Sequence, residues 1–282
     1  MSDYELIDSG EGFKLERFGS YVLVRPAAQA AWKRRLSRAA WSKADASFDR
    51  SDGNRWQNRS ALPERWVVTI EGIRLHLSAT DFGHVGVFPE QSGQWSWIRR
   101  RAAAPCRVLN LFAYSGGSTL AAAQGGAEVC HLDASRGMVE RAAENAELCG
   151  LAGAPIRWIV DDAIKFLGRE AKRGRKYDGL ILDPPSFGRG RRGEVFKIRD
   201  GIARLMELSE RLLSDKPSFV LLTCHTPEYS PRVLGNLLAS VKARFGGKLE
   251  TGEMLLTGGP EVLPLPSGAY ARWRTGAAEG GA

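Results

Sequence analysis

Cysteine and histidine are scarce, four of each in 282 residues, and neither is grouped. Cys106, Cys130, Cys149 and Cys224 contain no Cys-x-x-Cys pair, and no histidine stands at zinc-ligand spacing. That argues against a metal centre or a disulfide framework. Three of the cysteines sit in apolar or helical surroundings and read as small core residues; Cys224 is taken up below. No apolar run reaches the length needed to span a bilayer. The start, Met1-Ser-Asp-Tyr-Glu-Leu6, lacks the basic and apolar regions of a secretion signal. The expectation is a cytoplasmic protein with neither a metal nor a membrane partner. Also missing is the Gly-x-Gly-x-x-Gly run with which dinucleotide sites hold a pyrophosphate.

What is present is an ordinary globular composition, 43% apolar and 26% charged, with a formal net charge of +8. A surplus of cations favours a polyanionic partner, because each neutralised phosphate releases a condensed counterion. The length suits one large domain and a smaller one.

The first 93 residues are rich in strand signals. Gly12 to Gly19 alternates apolar and polar residues, Tyr21 to Val24 follows a turn, and 65–70 pairs with 73–77 across Glu71-Gly72. Residues 27 to 43 read as a helix with Trp32 and Leu36 on its apolar stripe. Residues 44 to 63 read as a long polar loop, and 83 to 91 as a short extended segment. From residue 94 the pattern changes. A Trp-bearing helix or linker (94–101) leads into strands at 108–112, 128–132, 156–160, 177–182 and 218–224. Between and after them come helices at 118–124, 135–149, 163–173, 195–214 and 231–245, and strand-like runs close the chain at 252–256 and 269–274. Five strand–helix units and a closing hairpin predict an α/β fold, a doubly wound seven-stranded Rossmann-like sheet with one reversed strand, beside a smaller β-rich N-terminal domain. The domain expectation is 1–93, then 94–277, then a disordered tail at 278–282.

Ligands of such sheets lie outside the carboxyl ends of the strands, and here those ends carry the polar residues. The first strand opens into Asn110-Leu-Phe-Ala-Tyr-Ser-Gly-Gly117, and the second ends in Asp133, whose carboxylate can accept from two ribose hydroxyls or begin the next helix as a cap. The third ends in Asp161-Asp162, with Asp162 favoured to accept from an adenine amine and the other acid to cap a helix. The fourth ends in Asp183-Pro-Pro-Ser-Phe187. Two prolines after a buried strand force a rigid extended turn, which can present an acid and carbonyls to a planar substrate with Phe187 available to stack. One Gly-Gly without phosphate-type spacing suits a cofactor without phosphates, such as S-adenosylmethionine, better than a dinucleotide.

With these motifs the chain resembles the class I S-adenosylmethionine-dependent methyltransferases, and within them the ribosomal-RNA large-subunit enzymes that modify cytosine C5 or guanine N7. The likeness is carried by 110–117, Leu132-Asp-Ala-Ser135, Asn145 with Leu148, Asp161-Asp162, 183–187 and Gly83-His-Val-Gly-Val-Phe88. That family's N-terminal RNA-binding PUA domain is not evident. The resemblance implies cofactor binding by Phe112, Tyr114, Gly116, Asp133, Asp162 and Asp183. Their neighbours Asn110, Ser115, Gly117, Ala134, Ser135, Asp161 and Pro184 complete the expected cofactor set. Asp183 is also expected to act in catalysis.

Cys224 stands at the end of the fifth strand, where the family's C5 enzymes place a cysteine in Thr-Cys or Ser-Cys contexts. Methylation at a pyrimidine C5 needs a thiolate adding at C6, whereas a ring nitrogen attacks unaided and Cys224 is then a core residue. His225 either tunes that thiol or covers the strand end. Pro185, Phe187, Arg189, Arg191 and Arg192 are the expected substrate contacts, the arginines forming a flexible clamp beside the mouth of the site. The basic runs at 33–38, 99–101 and 172–176 form a phosphate-binding surface if they share a face. The function expected is methyl transfer to a base of RNA, ribosomal RNA foremost, with cytosine C5 favoured and the chain a monomer or homodimer. The alternatives are a base nitrogen, a small molecule or a protein as acceptor, or an RNA-binding module that keeps the fold without turnover.

Overall fold

The structure, a computed structural model, describes residues 2–50, 53–103, 105–189, 193 and 195–276. The chain divides into two compact units, Met1–Gly93 with Leu255–Ser267, and Gln94–Met254 with the chain from Gly268. In the first unit, β1 (Tyr4–Gly10), β2 (Phe13–Phe18) and β3 (Tyr21–Pro26) form an antiparallel meander. A four-residue helix α1 (Arg38–Trp41) precedes β4 (Ala46–Asp49), which lies parallel to β3, and β5 (Arg55–Gln57) closes the sheet. A separate hairpin, β6 (Trp66–Ile70) and β7 (Ile73–Leu77), turns at Glu71 and Gly72, both at positive φ as a two-residue type I′ turn requires.

Several expectations for this unit need correcting. The segment 27–43 is helical only over α1. The buried Asp8 carboxylate accepts from the backbone N–H of Arg35 and Leu36 and from Trp41 Nε1, at 3.2, 2.9 and 2.9 Å, and Trp32 Nε1 donates to the Ser9 carbonyl at 2.8 Å. These bonds tie the segment to β1 as a loop and override its helical spacing. Residues 44–63 hold β4 and β5 rather than a loop, because Phe48 is buried against Trp56 with ring centroids 5.4 Å apart. The segment 83–91 follows a turn at 80–84 and ends in one 3₁₀ turn at Pro89–Gln91. Residues 255–267, expected in the larger domain, belong to the first unit, where Leu256 and Leu265 bury against Leu6, Ala27 and Ala30.

The second unit begins with α2 (Ser92–Arg101), most of which lies within it. It continues β8 (Arg107–Leu111), α3 (Gly117–Gln124), β9 (Glu128–Asp133), α4 (Arg136–Leu148), β10 (Ile156–Val160), α5 (Ala163–Lys172) and β11 (Gly179–Leu182). A short hairpin, β12 (Phe187–Arg189) and β13 (Val195–Lys197), leads to α6 (Ile198–Arg211) and β14 (Phe219–Cys224). Then come α7 (Pro231–Leu237), α8 (Ala239–Phe245), β15 (Lys248–Leu256) and β16 (Leu265–Arg274). The seven-stranded sheet has the order β10-β9-β8-β11-β14-β16-β15, with β16 antiparallel to β14. Its central strands β8, β9, β11 and β14 are buried on both faces, which is why they read as continuous apolar runs such as Phe219-Val-Leu-Leu222. The chain leaves β8 toward β9 and β10, then returns to β11 on the other side of β8. Strands 8 and 11 therefore flank the topological switch.

Here too boundaries move. The helix expected over 195–214 starts at Ile198, since 195–197 pair with 187–189. The helix expected over 231–245 breaks at Leu238. The expected tail at 278–282 lies outside the described residues. Among the described residues no helix is long and apolar enough to cross a membrane.

Candidate active site

At the carboxyl end of β8 the backbone takes a strained course. Phe112, Tyr114 and Gly116 have φ of 56°, 49° and 93°; for a bulky aromatic such a value is uncommon and persists only when neighbours over-determine it. The restraints are visible. Ala113 N–H donates to the Leu132 carbonyl at 3.0 Å, Gly116 N–H to the Ala113 carbonyl at 3.0 Å, and Tyr114 N–H to Asp133 Oδ2 at 2.9 Å. From α4, fully buried Asn145 donates Nδ2 to the Ser115 carbonyl at 2.9 Å. A side chain at Gly116 would meet Ala142 Cβ at 2.9 Å, so α4 packs directly on the turn.

Two residues expected at the ligand also have roles inside the unit. Asn110 is 2% exposed and donates Nδ2 to Thr119 Oγ1 at 2.9 Å, and Thr119 Oγ1 lies 2.9 Å from His131 Nδ1. The hydroxyl can accept from the amide and still share a hydrogen bond with the imidazole in either direction. Burial holds that imidazole's pKa down to about 3, so it is neutral. Asn110 therefore braces β8 against α3 and β9 from beneath the turn. Gly117 also serves packing, since a Cβ there would collide with the Trp95 ring.

Half-buried Asp133 is held by the turn it was expected to serve with. Its Oδ1 accepts from Ser135 N–H at 2.8 Å and its Oδ2 from Tyr114 N–H at 2.9 Å. Burial raises its pKa, and the N–H groups of Ser135, Tyr114 and Ala134 oppose the rise. At the end of β10, Asp162 caps α5 by accepting from Lys165 N–H at 2.9 Å. Asp161 accepts from Asp162 N–H at 2.9 Å and pairs with Arg169. The side chain favoured for an adenine contact is thus the helix cap.

The turn after β11 is tethered to the exit of β14. Asp183 Oδ1 accepts from Thr223 Oγ1 at 2.7 Å, and His225 Nε2 stands 3.8 Å from the same oxygen. Ser186 and Thr226 share a hydroxyl hydrogen bond of 2.6 Å, and Ile198 N–H donates to the Ser186 carbonyl at 3.2 Å. Pro184 is buried and Pro185 half-buried, while Phe187 keeps half of its surface exposed. The expected flexible clamp begins as a strand, with Phe187, Gly188 and Arg189 paired to Lys197, Phe196 and Val195. Arg191 and Arg192 lie outside the described residues. Cys224 is 1% exposed, and its Sγ accepts from Thr226 N–H at 3.4 Å. Burial, with the Asp183 charge adding to it, pushes the thiol above its ordinary value, so it rests protonated at neutral pH.

Thr223, Ser186, Thr226 and Asn145 join the site through these bonds. A signal for Thr223 was present in the sequence: pairing Leu182 with Leu222 brings Thr223 beside Asp183.

Residues 17–255 match the family model of S-adenosylmethionine-dependent methyltransferases. The chain belongs to that family. This methyltransferase is 39% identical to a SAM-dependent methyltransferase from Agrobacterium tumefaciens, whose crystal structure superposes with a TM-score of 0.90 over 96% of this chain and 90% of that one. A crystal structure complexed with SAH superposes at TM-score 0.72 with 18% identity, over 96% of this chain and 75% of that one, which speaks to the fold alone. Ribosomal RNA large subunit methyltransferase I of Erwinia tasmaniensis is 28% identical over 207 residues, 66% of this chain and 52% of that protein. Ribosomal RNA large subunit methyltransferase K/L of Aeromonas hydrophila is 31% identical over 169 residues, 59% of this chain and 23% of that protein. The chain spans about half the length of the curated relatives it matches first.

The methyltransferase's own residues fit its cofactor. Asp133 gives up part of its hydration where it sits, and neutral hydroxyl donors would compensate a carboxylate so placed. S-adenosylmethionine supplies a methyl group on a sulfonium centre, which any aligned nucleophile can take by in-line displacement. The protein's task is alignment.

Proposed function

We propose that this methyltransferase acts on a base of RNA, ribosomal RNA foremost, and that cytosine C5 is the acceptor. The observation that carries the proposal is the pair of turns, 183–187 and 223–226, held together by the Asp183–Thr223 and Ser186–Thr226 hydrogen bonds. They fix an acid, a proline-stiffened turn and an exposed aromatic ring around the end of β14, an arrangement suited to a planar base. The names of the relatives and the surplus of cations support RNA over a small molecule or a protein.

In this reading Asp133 accepts from the ribose hydroxyls, and Phe112, Tyr114, Ser115 and Gly116 back the cofactor with Ala134 and Ser135 beside it. The strand end at Asp161-Asp162 faces the adenine, and Asp183 with Pro184 borders both ligands. Phe187 stacks on the base beside Pro185, and Arg189, Arg191 and Arg192 meet phosphates. For a C5 acceptor, Cys224 gives up its proton and its sulfur bonds to C6, sending the ring electrons to C5. C5 takes the methyl group. Loss of the C5 proton then returns electrons to the ring and expels the thiolate.

A second reading is favoured by one observation. Cys224 is buried, with its pKa raised and its sulfur hydrogen-bonded to Thr226, which suits an acceptor that needs no thiol, such as a ring nitrogen. Cys224→Ala separates the two. If methyl transfer to total RNA is lost while cofactor affinity is kept, C5 stands; full activity selects the nitrogen. RNA affinity indifferent to salt, with transfer to small molecules or protein, would remove RNA as the substrate.

A further inference from the structure

The amino ends of the parallel strands, at the opposite edge of the sheet from Asp133 and Asp183, border a cavity of about 390 Å³. Its cations come from places far apart in the sequence: Arg107 opens β8, Arg157 lies in β10, and Arg175 and Lys176 lie between α5 and β11. Strand alternation explains the convergence. Arg107 is in register with Glu128 and Arg157 with Cys130. Glu128 and Cys130 are two residues apart on β9, so all four side chains leave one face of the sheet. The basic run at 172–176, which the methyl-transfer site does not use, reaches the same rim.

Cys130 and Tyr177 form a buried floor. Tyr177 is anchored by its hydroxyl, which donates to Glu170 at 2.7 Å, and burial lifts the Cys130 thiol to about 11, so the floor carries no charge at neutral pH. Around it Arg107, Arg157 and Arg175 are exposed, with no ion-pair partner for any of them among the described residues. Lys176 donates Nζ to the Arg211 carbonyl at 2.8 Å. Four cations thus line the hollow with one carboxylate, Glu128, while Asp178 accepts from the Arg107 N–H at 2.9 Å and Glu170 is held by the Tyr177 hydroxyl. Like charges gathered around one hollow repel, and an anion with several oxygens relieves that repulsion while accepting from the guanidinium forks.

We propose that this cavity is a second binding site, one for phosphoryl groups, separate from methyl transfer. The five residues of β8, at about 3.3 Å each, separate it from the turn at Phe112 by on the order of 15 Å. The phosphoryl group belongs either to a free nucleotide-like anion or to an RNA backbone, and the site stands whether or not an RNA base is the methyl acceptor. Pyrophosphate is the probe for the first source and a structured RNA for the second.

The test is calorimetric titration of the full chain with pyrophosphate, together with RNA binding measured across salt concentrations. Both are repeated for Arg157→Gln combined with Arg175→Gln, with S-adenosylmethionine affinity as the control for folding. A tenfold or greater loss of pyrophosphate affinity at unchanged cofactor affinity supports a free anion. A salt slope for RNA lowered by about one and a half to two supports an RNA backbone. Glu128→Gln, a single exposed substitution, guards against misfolding of the double variant; it is expected to tighten the same interaction several-fold. Unchanged binding in both arms for both variants overturns the proposal.

Discussion

Tyr114 donates its backbone N–H to Asp133 Oδ2 at 2.9 Å, so the turn after β8 and the acid that ends β9 are one rigid assembly. A carboxylate fixed this way meets a ligand without reorganising. Asp133→Ala is expected to weaken S-adenosylmethionine binding at least tenfold by calorimetry, and to loosen Tyr114, whose φ of 49° it helps to hold. An unchanged dissociation constant would remove Asp133 from the cofactor site.

The pH dependence follows from the same residue. Burial raises the Asp133 pKa above its ordinary 3.8, so the free protein takes up this proton at a higher pH than an exposed aspartate does. Hydroxyl donors need the ionised form. Cofactor affinity should therefore be full at neutral pH and fall as pH drops through the raised pKa. Asp133→Asn should flatten the acid side of a titration by fluorescence or calorimetry; an identical acid limb in the variant would assign the fall to another group.

The reassignment of Asn110 is open to measurement. Asn110→Ala leaves the buried Thr119–His131 pair short of a donor and opens a hole under the turn. The expected cost is about 1–3 kcal/mol of stability in denaturant unfolding. A protein that unfolds at the wild-type midpoint but binds cofactor more weakly would return Asn110 to the ligand.

Gly117→Ala directs a methyl group into the Trp95 ring, and overpacking of this kind costs about 1–3 kcal/mol. Trp95→Leu should relieve part of the loss in the double variant. If the two single losses simply add, the collision is not their cause.

Much of the sheet was legible because its central strands are buried on both faces and its helices carry regular apolar stripes. The acids at strand ends were legible for the same reason, as polar residues interrupting apolar runs. What escaped depended on partners distant in sequence. The apolar spacing of 27–43 is helical, but Asp8, 27 and 28 residues earlier, captures the backbone N–H groups of Arg35 and Leu36. That Asn110 bonds Thr119 on α3 was not legible from its place in the motif. At 195–197, three residues that read as the start of a helix pair with the strand leaving the Pro-Pro turn. Each glycine of the turn has a structural reason the sequence did not show: Gly116 its φ, and Gly117 a tryptophan on another helix.

The central claim, transfer of a methyl group to an RNA base, is tested most directly by mass spectrometry of ribosomal RNA nucleosides from cells with and without the gene for this chain. The expected result is the loss of a single methylated nucleoside, 5-methylcytidine, at one position, restored by the wild-type chain and not by Cys224→Ala. Loss of a nitrogen-methylated base instead, restored by both, would keep the RNA and reject C5. A nucleoside profile identical in the two strains would contradict the RNA reading itself.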